Sequence, residues 1–254
     1  MNQVANVEIT ESATPTLSAL PLRLADFDSL ASALDYAAQG ESGTNFYAGS
    51  GKLATVLPYR KLREQAQTLA KRLLSFPLER GARVAIVAET DPDFLRFFFA
   101  CQYAGLVPVA LPAVIHVGGH KAYVNQLNGL LKGCRASLAV SSSQLLPFLT
   151  EAAEGLGLQF VNAPSAFDEL PLKDITLKPS GPNETAYLQY TSGSTGFPRG
   201  VIITQESVMA NLLASGHGLD VRVDDRLVSW LPFYHDMGLV PLLSVLGVRL
   251  AHSC

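Results

Sequence analysis

The segment from Thr191 to Gly200, TSGSTGFPRG, concentrates residue types that bind anions. Its ten positions include three glycines, four hydroxyl side chains and Arg199. Glycines let the backbone turn several N–H groups toward one point, hydroxyls add donors, and a guanidinium adds positive charge. This composition predicts a phosphate-binding loop. A solvated linker, also rich in Ser, Thr and Gly, is the alternative, but linkers rarely sit tightly between a buried strand and a helix.

A second candidate site is the segment SWLPFYHDMGLV, residues 229–240. An N–H of the His235 ring can donate to negative charge that develops on a phosphate or a carboxylate. Taken alone, His235 equally suits the start of a helix, where its hydrogen bond would orient Asp236. The large side chains around it suit either an acyl pocket or a hydrophobic core: Trp230, Phe233, Tyr234 and Met237.

Strands and helices alternate along the part of the chain that must position these segments. The predicted strands cover residues 83–89, 107–111, 136–142 and 158–162, and the predicted helices cover 27–39, 59–75, 91–105, 120–134 and 143–155. Asp91 and Thr204 are suited to cap helices. The alternation predicts an α/β fold with a largely parallel sheet. Around the candidate loop we expect a strand ending at Tyr190, the loop, and then a helix after Thr204, while residues 163–184 form a connecting loop.

Composition excludes several classes of protein. The chain of 254 residues is 48% hydrophobic, with 19 basic and 22 acidic side chains and a net charge of −3. Nothing in this balance resembles the basic surface of a nucleic-acid-binding protein. The three cysteines are widely spaced, and the N-terminus lacks the pattern of a signal peptide. We therefore expect reduced thiols, no nucleic-acid partner and a cytoplasmic location.

Three further patterns have simpler explanations than a functional site. The apolar segment 97–117 is interrupted by glycine and prolines, which predicts a helix followed by a buried strand and not a membrane span. The GSGK at 49–52 lacks the Walker glycine and the hydroxyl residue after the lysine, so it predicts a hairpin turn. Two glycines separate His116 from His120, which favours loop histidines over a metal site.

The segment YTSGSTGFPRG closely resembles the phosphate-binding signature of the adenylate-forming, or AMP-binding, superfamily, T-S-G-S/T-T-G-x-P-K-G. Arg199 replaces the usual lysine and keeps the charge. The sequence LPFYHDMG, together with Gln189 in LQYTSGSTG, is most similar to the fatty-acyl-AMP ligase branch. The resemblance extends from about residue 27 to about residue 240.

The resemblance implies the N-terminal part of the adenylate-forming fold, with mostly parallel sheets flanked by helices, incomplete in this chain. Residues 1–22 would form a leader, 23–180 a first α/β subdomain and 181–254 the truncated start of a second subdomain that carries the loop. It also implies that ATP with Mg²⁺ activates a fatty or other carboxylic acid to acyl-AMP. The acyl group would pass to the phosphopantetheine of an acyl carrier protein, or alternatively to coenzyme A.

The resemblance also assigns roles to residues. His235 would be catalytic, near the reacting carboxylate and the α-phosphate, and would also contact the substrate. The expected phosphate-binding residues are Thr191, Ser192, Gly193, Ser194, Thr195, Gly196, Arg199 and Gly200. Trp230, Phe233, Tyr234 and Met237 would help to line the acyl site.

The family uses a glutamate for Mg²⁺, an aspartate for the ribose and a C-terminal lysine, all of which would follow residue 254. We therefore expect the 254-residue chain to resemble roughly the first half of a ligase and to lack adenylation activity by itself. The alternatives are a fragment of an acyl-CoA synthetase and a non-catalytic, truncated module that binds a nucleotide or an acyl group.

Overall fold

Helices and strands alternate along the chain in the computed structural model, which describes residues 20–113, 119–191, 198–222, 225–247 and 251–253. The helices are α1 (Leu30–Ala37), α2 (Tyr59–Leu73), α3 (Pro92–Ala104), α4 (Gly119–Cys134), α5 (Leu146–Ala153), α6 (Pro164–Asp168), α7 (Gln205–Gly218) and α8 (Asp236–Gly247). The strands are β1 (Gly43–Tyr47), β2 (Leu53–Pro58), β3 (Arg83–Val87), β4 (Val107–Leu111), β5 (Ala136–Val140), β6 (Phe160–Asn162), β7 (Thr185–Tyr190), β8 (Gly200–Thr204), β9 (Arg226–Val228) and β10 (Ala251–Ser253).

The larger sheet has six strands in the order β6-β5-β3-β4-β7-β8. All neighbouring pairs are parallel except β7 and β8, which are antiparallel. The central strands β3 and β4 are apolar and almost wholly buried, as is usual for parallel strands covered on both faces. The predicted α/β fold with a mostly parallel sheet is confirmed, and the carboxyl ends of β4 and β7 lie side by side.

The smaller sheet has the order β2-β1-β10-β9. Its β1 and β2 form the predicted antiparallel hairpin, and β10 runs parallel to both of its neighbours. Gly51 has a φ of 77°, and its N–H donates to the Ala48 carbonyl oxygen at 2.8 Å. The left-handed conformation suits glycine, so the GSGK segment is a hairpin turn, as predicted.

Helix α3 lies at the centre of the hydrophobic core. Its Asp91 cap accepts a hydrogen bond from the Phe94 N–H at 2.9 Å, and Gly105 ends it in the left-handed conformation. Most of its side chains are buried on all sides, among them Phe94, Phe97, Phe98 and Phe99. The apolar segment thus contains a buried helix followed by β4, as predicted. Within the described residues, no helix has the length and apolar character needed to cross a membrane.

The prediction that the candidate loop leads directly into a helix is wrong, because strand β8 lies between them. The segment GVIIT is rich in β-branched residues, which favour a strand, and it pairs with β7 to form a hairpin. Helix α7 begins only after Thr204, whose hydroxyl accepts a hydrogen bond from the Ser207 N–H at 3.1 Å. The predicted helix cap at Thr204 is therefore confirmed, while the loop belongs to a hairpin.

Pro147, inside the predicted helix 143–155, lies in the first turn of α5, where its missing N–H costs nothing. The segment expected to be a connecting loop contains the short helix α6. Strands β7 and β8 join β3–β6 in the larger sheet, and β9 and β10 join β1 and β2 in the smaller one. The division of the chain into a leader and two subdomains stays a prediction.

Candidate active site

The two ends of the candidate phosphate-binding loop are joined by hydrogen bonds. Tyr190 pairs with Gly200 across β7 and β8, and the Thr191 N–H donates to the Arg199 carbonyl oxygen at 3.0 Å. The Arg199 N–H in turn donates to the Thr191 hydroxyl oxygen at 3.4 Å. Thr191, Arg199 and Gly200 are therefore brought together, with Thr191 and Arg199 exposed to solvent. The predicted phosphate-binding residues from Ser192 to Gly196 lie outside the described residues.

The Tyr190 ring lies against Gly200, where a Cβ atom would be 3.4 Å from the ring. The Tyr190 hydroxyl donates to the Leu130 carbonyl oxygen at 2.8 Å, which fixes the ring at the base of the hairpin. Burial raises the pKa of this hydroxyl well above its usual range, so at neutral pH it is a structural donor and not a base.

A tight turn before α8 presents His235. Its carbonyl oxygen accepts hydrogen bonds from the Gly238 N–H at 3.0 Å and the Leu239 N–H at 2.9 Å. A Cβ on Gly238 would lie only 2.1 Å from the Pro232 carbonyl oxygen, so the turn requires glycine. The Asp236 carboxylate accepts a hydrogen bond from the Met237 N–H at 2.8 Å, and the turn itself thus orients this side chain. The motif HDMG therefore builds a compact turn that leaves His235 exposed.

The hairpin and the turn meet at a cavity of about 230 Å³. Its lining residues are Ala110, Pro112, Gln126, Leu130, Tyr190, Thr191, Pro198, Tyr234 and His235. The cavity lies beside the carboxyl ends of β4 and β7. In α/β proteins with open parallel sheets, ligands bind in crevices at this edge of the sheet. His235 and the stem of the candidate loop therefore line one cavity in the place where a ligand is expected.

The four large side chains predicted near His235 occupy different environments. Tyr234 lines the cavity, with its ring centroid 4.6 Å from that of His235. Phe233 is buried in the core and stacks on Phe94 at 5.1 Å, so it supports the turn from beneath. Trp230 is 86% exposed and Met237 is 64% exposed, and neither lines this cavity.

Gln189 is a polar residue at the site whose structural role the sequence did not reveal. The residue is buried, with 8% of its surface exposed, and its Nε2 donates to the Tyr234 carbonyl oxygen at 2.5 Å. The signal in the sequence was a polar residue inside an otherwise apolar strand, which usually needs a specific partner when buried. The partner lies 45 positions along the chain, so only the three-dimensional structure identifies it.

Of the two histidines at positions 116 and 120, only His120 lies within the described residues. The His120 Nε2 lies 2.5 Å from a carboxylate oxygen of Glu151, and its ring lies against Phe148. His120 is therefore accounted for by contacts between α4 and α5.

Comparison with known proteins identifies the family. The model of the AMP-binding enzyme family matches residues 37–251, which includes both the hairpin and the His235 turn. The chain belongs to the AMP-binding enzyme family. The resemblance inferred from TSGSTGFPRG and HDMG is thereby confirmed.

The relatives of this AMP-binding chain include ligases that form acyl-adenylates. A Caulobacter vibrioides protein, provisionally named acyl-CoA synthetase, is 43% identical over 91% of this chain and 40% of its own length. The long-chain-fatty-acid–AMP ligase FadD32 of Mycolicibacterium smegmatis is 37% identical over 64% of this chain and 26% of its own length.

A solved structure has the same fold as this chain. It comes from a study of fatty acyl-adenylate ligases from E. coli and L. pneumophila, is 47% identical, and superposes with a TM-score of 0.88. The match covers 92% of this chain and 42% of that one. The chain thus spans less than half the length of the relatives that it matches.

Proposed function

We propose that this chain takes part in the ATP-dependent conversion of a fatty or other carboxylic acid to an acyl-adenylate. The observation that carries the proposal is the single cavity lined by His235 and by Thr191 at the stem of the loop. Arg199 at the same stem offers a fixed positive charge for the phosphates. The names of the M. smegmatis relative and of the solved fatty acyl-adenylate ligase support the same reaction.

In this reaction a carboxylate oxygen of the acid forms a bond to the α-phosphorus of ATP. The bond from that phosphorus to the oxygen it shares with the β-phosphate breaks, and pyrophosphate leaves with the electron pair. Thr191 and Arg199, with residues Ser192–Gly196 and Gly200, hold the departing phosphates. The His235 ring donates an N–H to the charge that develops on the oxygens. Positioning and neutralisation of charge supply most of the catalysis in phosphoryl chemistry of this kind.

The resemblance implies Mg²⁺ together with ATP. Among the described residues, no group of three His, Cys, Asp or Glu side chains is arranged to hold a metal ion. We assign no step to the ion.

We propose the phosphopantetheine thiol of an acyl carrier protein as the acceptor of the acyl group. Gln189 and the HDMG turn carry the similarity to fatty-acyl-AMP ligases on which this choice rests. Coenzyme A is the alternative, supported by the name of the C. vibrioides relative. Thiol-dependent release of AMP from preformed acyl-adenylate, measured with each acceptor in turn, distinguishes them. A cytoplasmic location remains a prediction from the sequence.

The first test is calorimetry of the 254-residue chain with ATP and with a non-hydrolysable acyl-adenylate analogue. We expect Arg199→Ala to weaken ATP binding by about tenfold, because one charge-assisted hydrogen bond is lost. Arg222→Ala is the matched control, since Arg222 is exposed and pairs with Asp220 away from the cavity. Equal ATP affinities for Arg199→Ala and the unsubstituted chain would remove Arg199 from this role.

Activity is tested separately, by ATP–pyrophosphate exchange that depends on added carboxylic acid. The chain covers 40% of the length of the C. vibrioides relative, and we predict no exchange from this chain alone. Analogue binding without exchange supports a role in ligand binding that needs further residues for chemistry. Rapid exchange would contradict the prediction and would show that the described cavity is sufficient.

A further inference from the structure

We propose that Gln189 is a positioning residue that couples the base of the phosphate-binding hairpin to the turn that presents His235. The inference rests on the proposed function, in which the hairpin holds phosphate and His235 acts on the reacting groups. It adds a residue that contacts neither group and instead sets the distance between them.

The contact has only one chemically sensible orientation. Gln189 lies one residue before Tyr190, at the end of β7, and its amide faces the carbonyl oxygen of Tyr234 at 2.5 Å. Because a carbonyl oxygen can only accept, the NH₂ end of the amide must face it. The peptide unit held in this way is the one that joins Tyr234 to His235. A hydrogen bond from the strand therefore acts directly on the backbone beside the catalytic residue.

The other end of the same amide indicates that stability alone does not explain this residue. Within the described residues, the buried Oε1 of Gln189 has no hydrogen-bond partner. An unsatisfied buried acceptor is destabilising, and an apolar side chain of similar size would avoid that cost. A glutamine at this position is thus best explained by the bond that its Nε2 makes. Buried polar atoms that lack a hydrogen-bond partner are expected mainly at functional sites.

The geometry on each side of the contact makes the coupling direct. On the strand side, Tyr190 and Thr191 follow Gln189 immediately and line the cavity. On the turn side, the His235 carbonyl oxygen receives the N–H groups of Gly238 and Leu239, so the turn continues without a break into α8. A shift of the Tyr234 carbonyl would therefore move His235 relative to the hairpin.

The test replaces Gln189 with methionine, which keeps the length and the apolar volume but removes the donor. With ring-¹⁵N histidine, we expect the His235 signals to shift while those of His120 and His217 stay unchanged. Amide exchange at Gly238 and Leu239 should become about tenfold faster, as expected for the loss of one hydrogen bond. The matched control is Gln39→Met, because the exposed Gln39 also donates to a backbone carbonyl, that of Asp35 at 3.3 Å. The Gln39→Met variant should leave the His235 signals unchanged.

A second variant keeps the proposal testable if Gln189→Met does not fold. Gln189→Glu retains the shape, and its protonated carboxyl has an O–H that can donate to Tyr234. We expect the His235 signals of this variant to approach those of the unsubstituted chain as the pH is lowered. The unsubstituted chain provides the reference at each pH, because it contains the same His235 and Asp236. If the His235 signals of Gln189→Glu do not approach those of the unsubstituted chain as the pH is lowered, the coupling is contradicted.

Ligand binding then separates this proposal from the proposed function. Weaker binding of the acyl-adenylate analogue by Gln189→Met, together with the His235 shift, supports both. A His235 shift without analogue binding by the unsubstituted chain supports the coupling and counts against the proposed function. Normal analogue binding and unchanged His235 signals in Gln189→Met would overturn the coupling and leave the proposed function intact.

Discussion

The centre of the six-stranded sheet and the edge that carries the site are held together in different ways. Around β3, β4 and α3, stability comes from close packing of apolar side chains that are buried on every side. At the site, exposed polar residues stand on a hairpin and a turn, and the buried Gln189 joins the two through its hydrogen bond to the Tyr234 carbonyl oxygen. We therefore expect substitutions in the core to lower the free energy of unfolding, and substitutions at the site to alter the position of His235 and the affinity for ligand.

Two further glutamines anchor the opposite end of the hairpin, where β7 begins and β8 ends. Gln205, at the start of α7, donates to the Gln102 Oε1 at 2.6 Å and accepts from the Leu30 N–H at 2.9 Å. Gln102 in α3 donates in turn to the Ala186 carbonyl oxygen of β7 at 2.8 Å. Both side chains are fully buried. At this end, the hairpin that carries the loop is therefore tied to the helix at the centre of the core.

The largest expected effect comes from a cavity in the apolar centre. Phe98 is buried against Phe94, Phe99 and Tyr187, and Phe98→Ala should lower the free energy of unfolding by about 3–5 kcal/mol. Denaturant unfolding of the 254-residue chain measures it. The control Leu172→Ala, at an exposed position, should change stability by less than about 0.5 kcal/mol. Similar effects of the two variants would remove the distinction between core and edge.

A smaller effect on stability, with a larger effect on the site, is expected for Gly238→Ala. The new Cβ must displace the Pro232 carbonyl, at a cost of about 1–3 kcal/mol, and the His235 turn moves with it. Analogue affinity should fall further than stability does. Gly218→Ala is the control, since a Cβ there meets no atom within 4 Å. If Gly238→Ala kept full analogue affinity, the turn would not set the geometry of the site.

The third effect concerns the cap of α3 and depends on pH. Burial raises the pKa of Asp91 from 3.8 to about 6, which outweighs the hydrogen bond from Phe94. Because the folded chain then binds the proton more tightly than the unfolded chain, stability falls as the pH rises from about 4 to about 6. Asn also caps helices and does not titrate, so Asp91→Asn should remove this fall while remaining at least as stable at neutral pH.

Urea unfolding at about pH 4 and about pH 7 measures this difference. Asp28→Asn, at an exposed carboxylate, is the control and should follow the unsubstituted chain at both pH values. An equal fall in stability for Asp91→Asn would show that other groups cause the pH dependence.

The sequence predicted local features better than connections between distant residues. Asp91 and Thr204 are suited to cap helices because the cap depends on bonds three residues away. Strand β8 was missed although GVIIT is rich in β-branched residues, because it has only five residues and its backbone is satisfied by pairing with β7. Gln189 donates to the Tyr234 carbonyl oxygen, which lies 45 positions along the chain in the turn before α8. No local pattern joins residues so far apart, so the pair could not be predicted from the sequence.

At the candidate site, too, the sequence predicted contiguous motifs better than contacts between distant residues. TSGSTGFPRG and HDMG were found because each motif is contiguous, and the structure brings Thr191, Arg199 and His235 together at one edge of the sheet. The environments of the surrounding side chains did not follow from the motif. Phe233 and Trp230 are both large and aromatic, yet one is buried in the core and the other is exposed. Only packing against α3 distinguishes them.

We propose that the cavity beside β4 and β7 is the site of acyl-adenylate formation. Titration of the ring-¹⁵N-histidine chain with the non-hydrolysable acyl-adenylate analogue tests it most directly. We predict a saturable shift of the His235 signals and no shift of His217, which is exposed near the end of α7. Binding of the analogue with unchanged His235 signals would place the ligand elsewhere and contradict the claim.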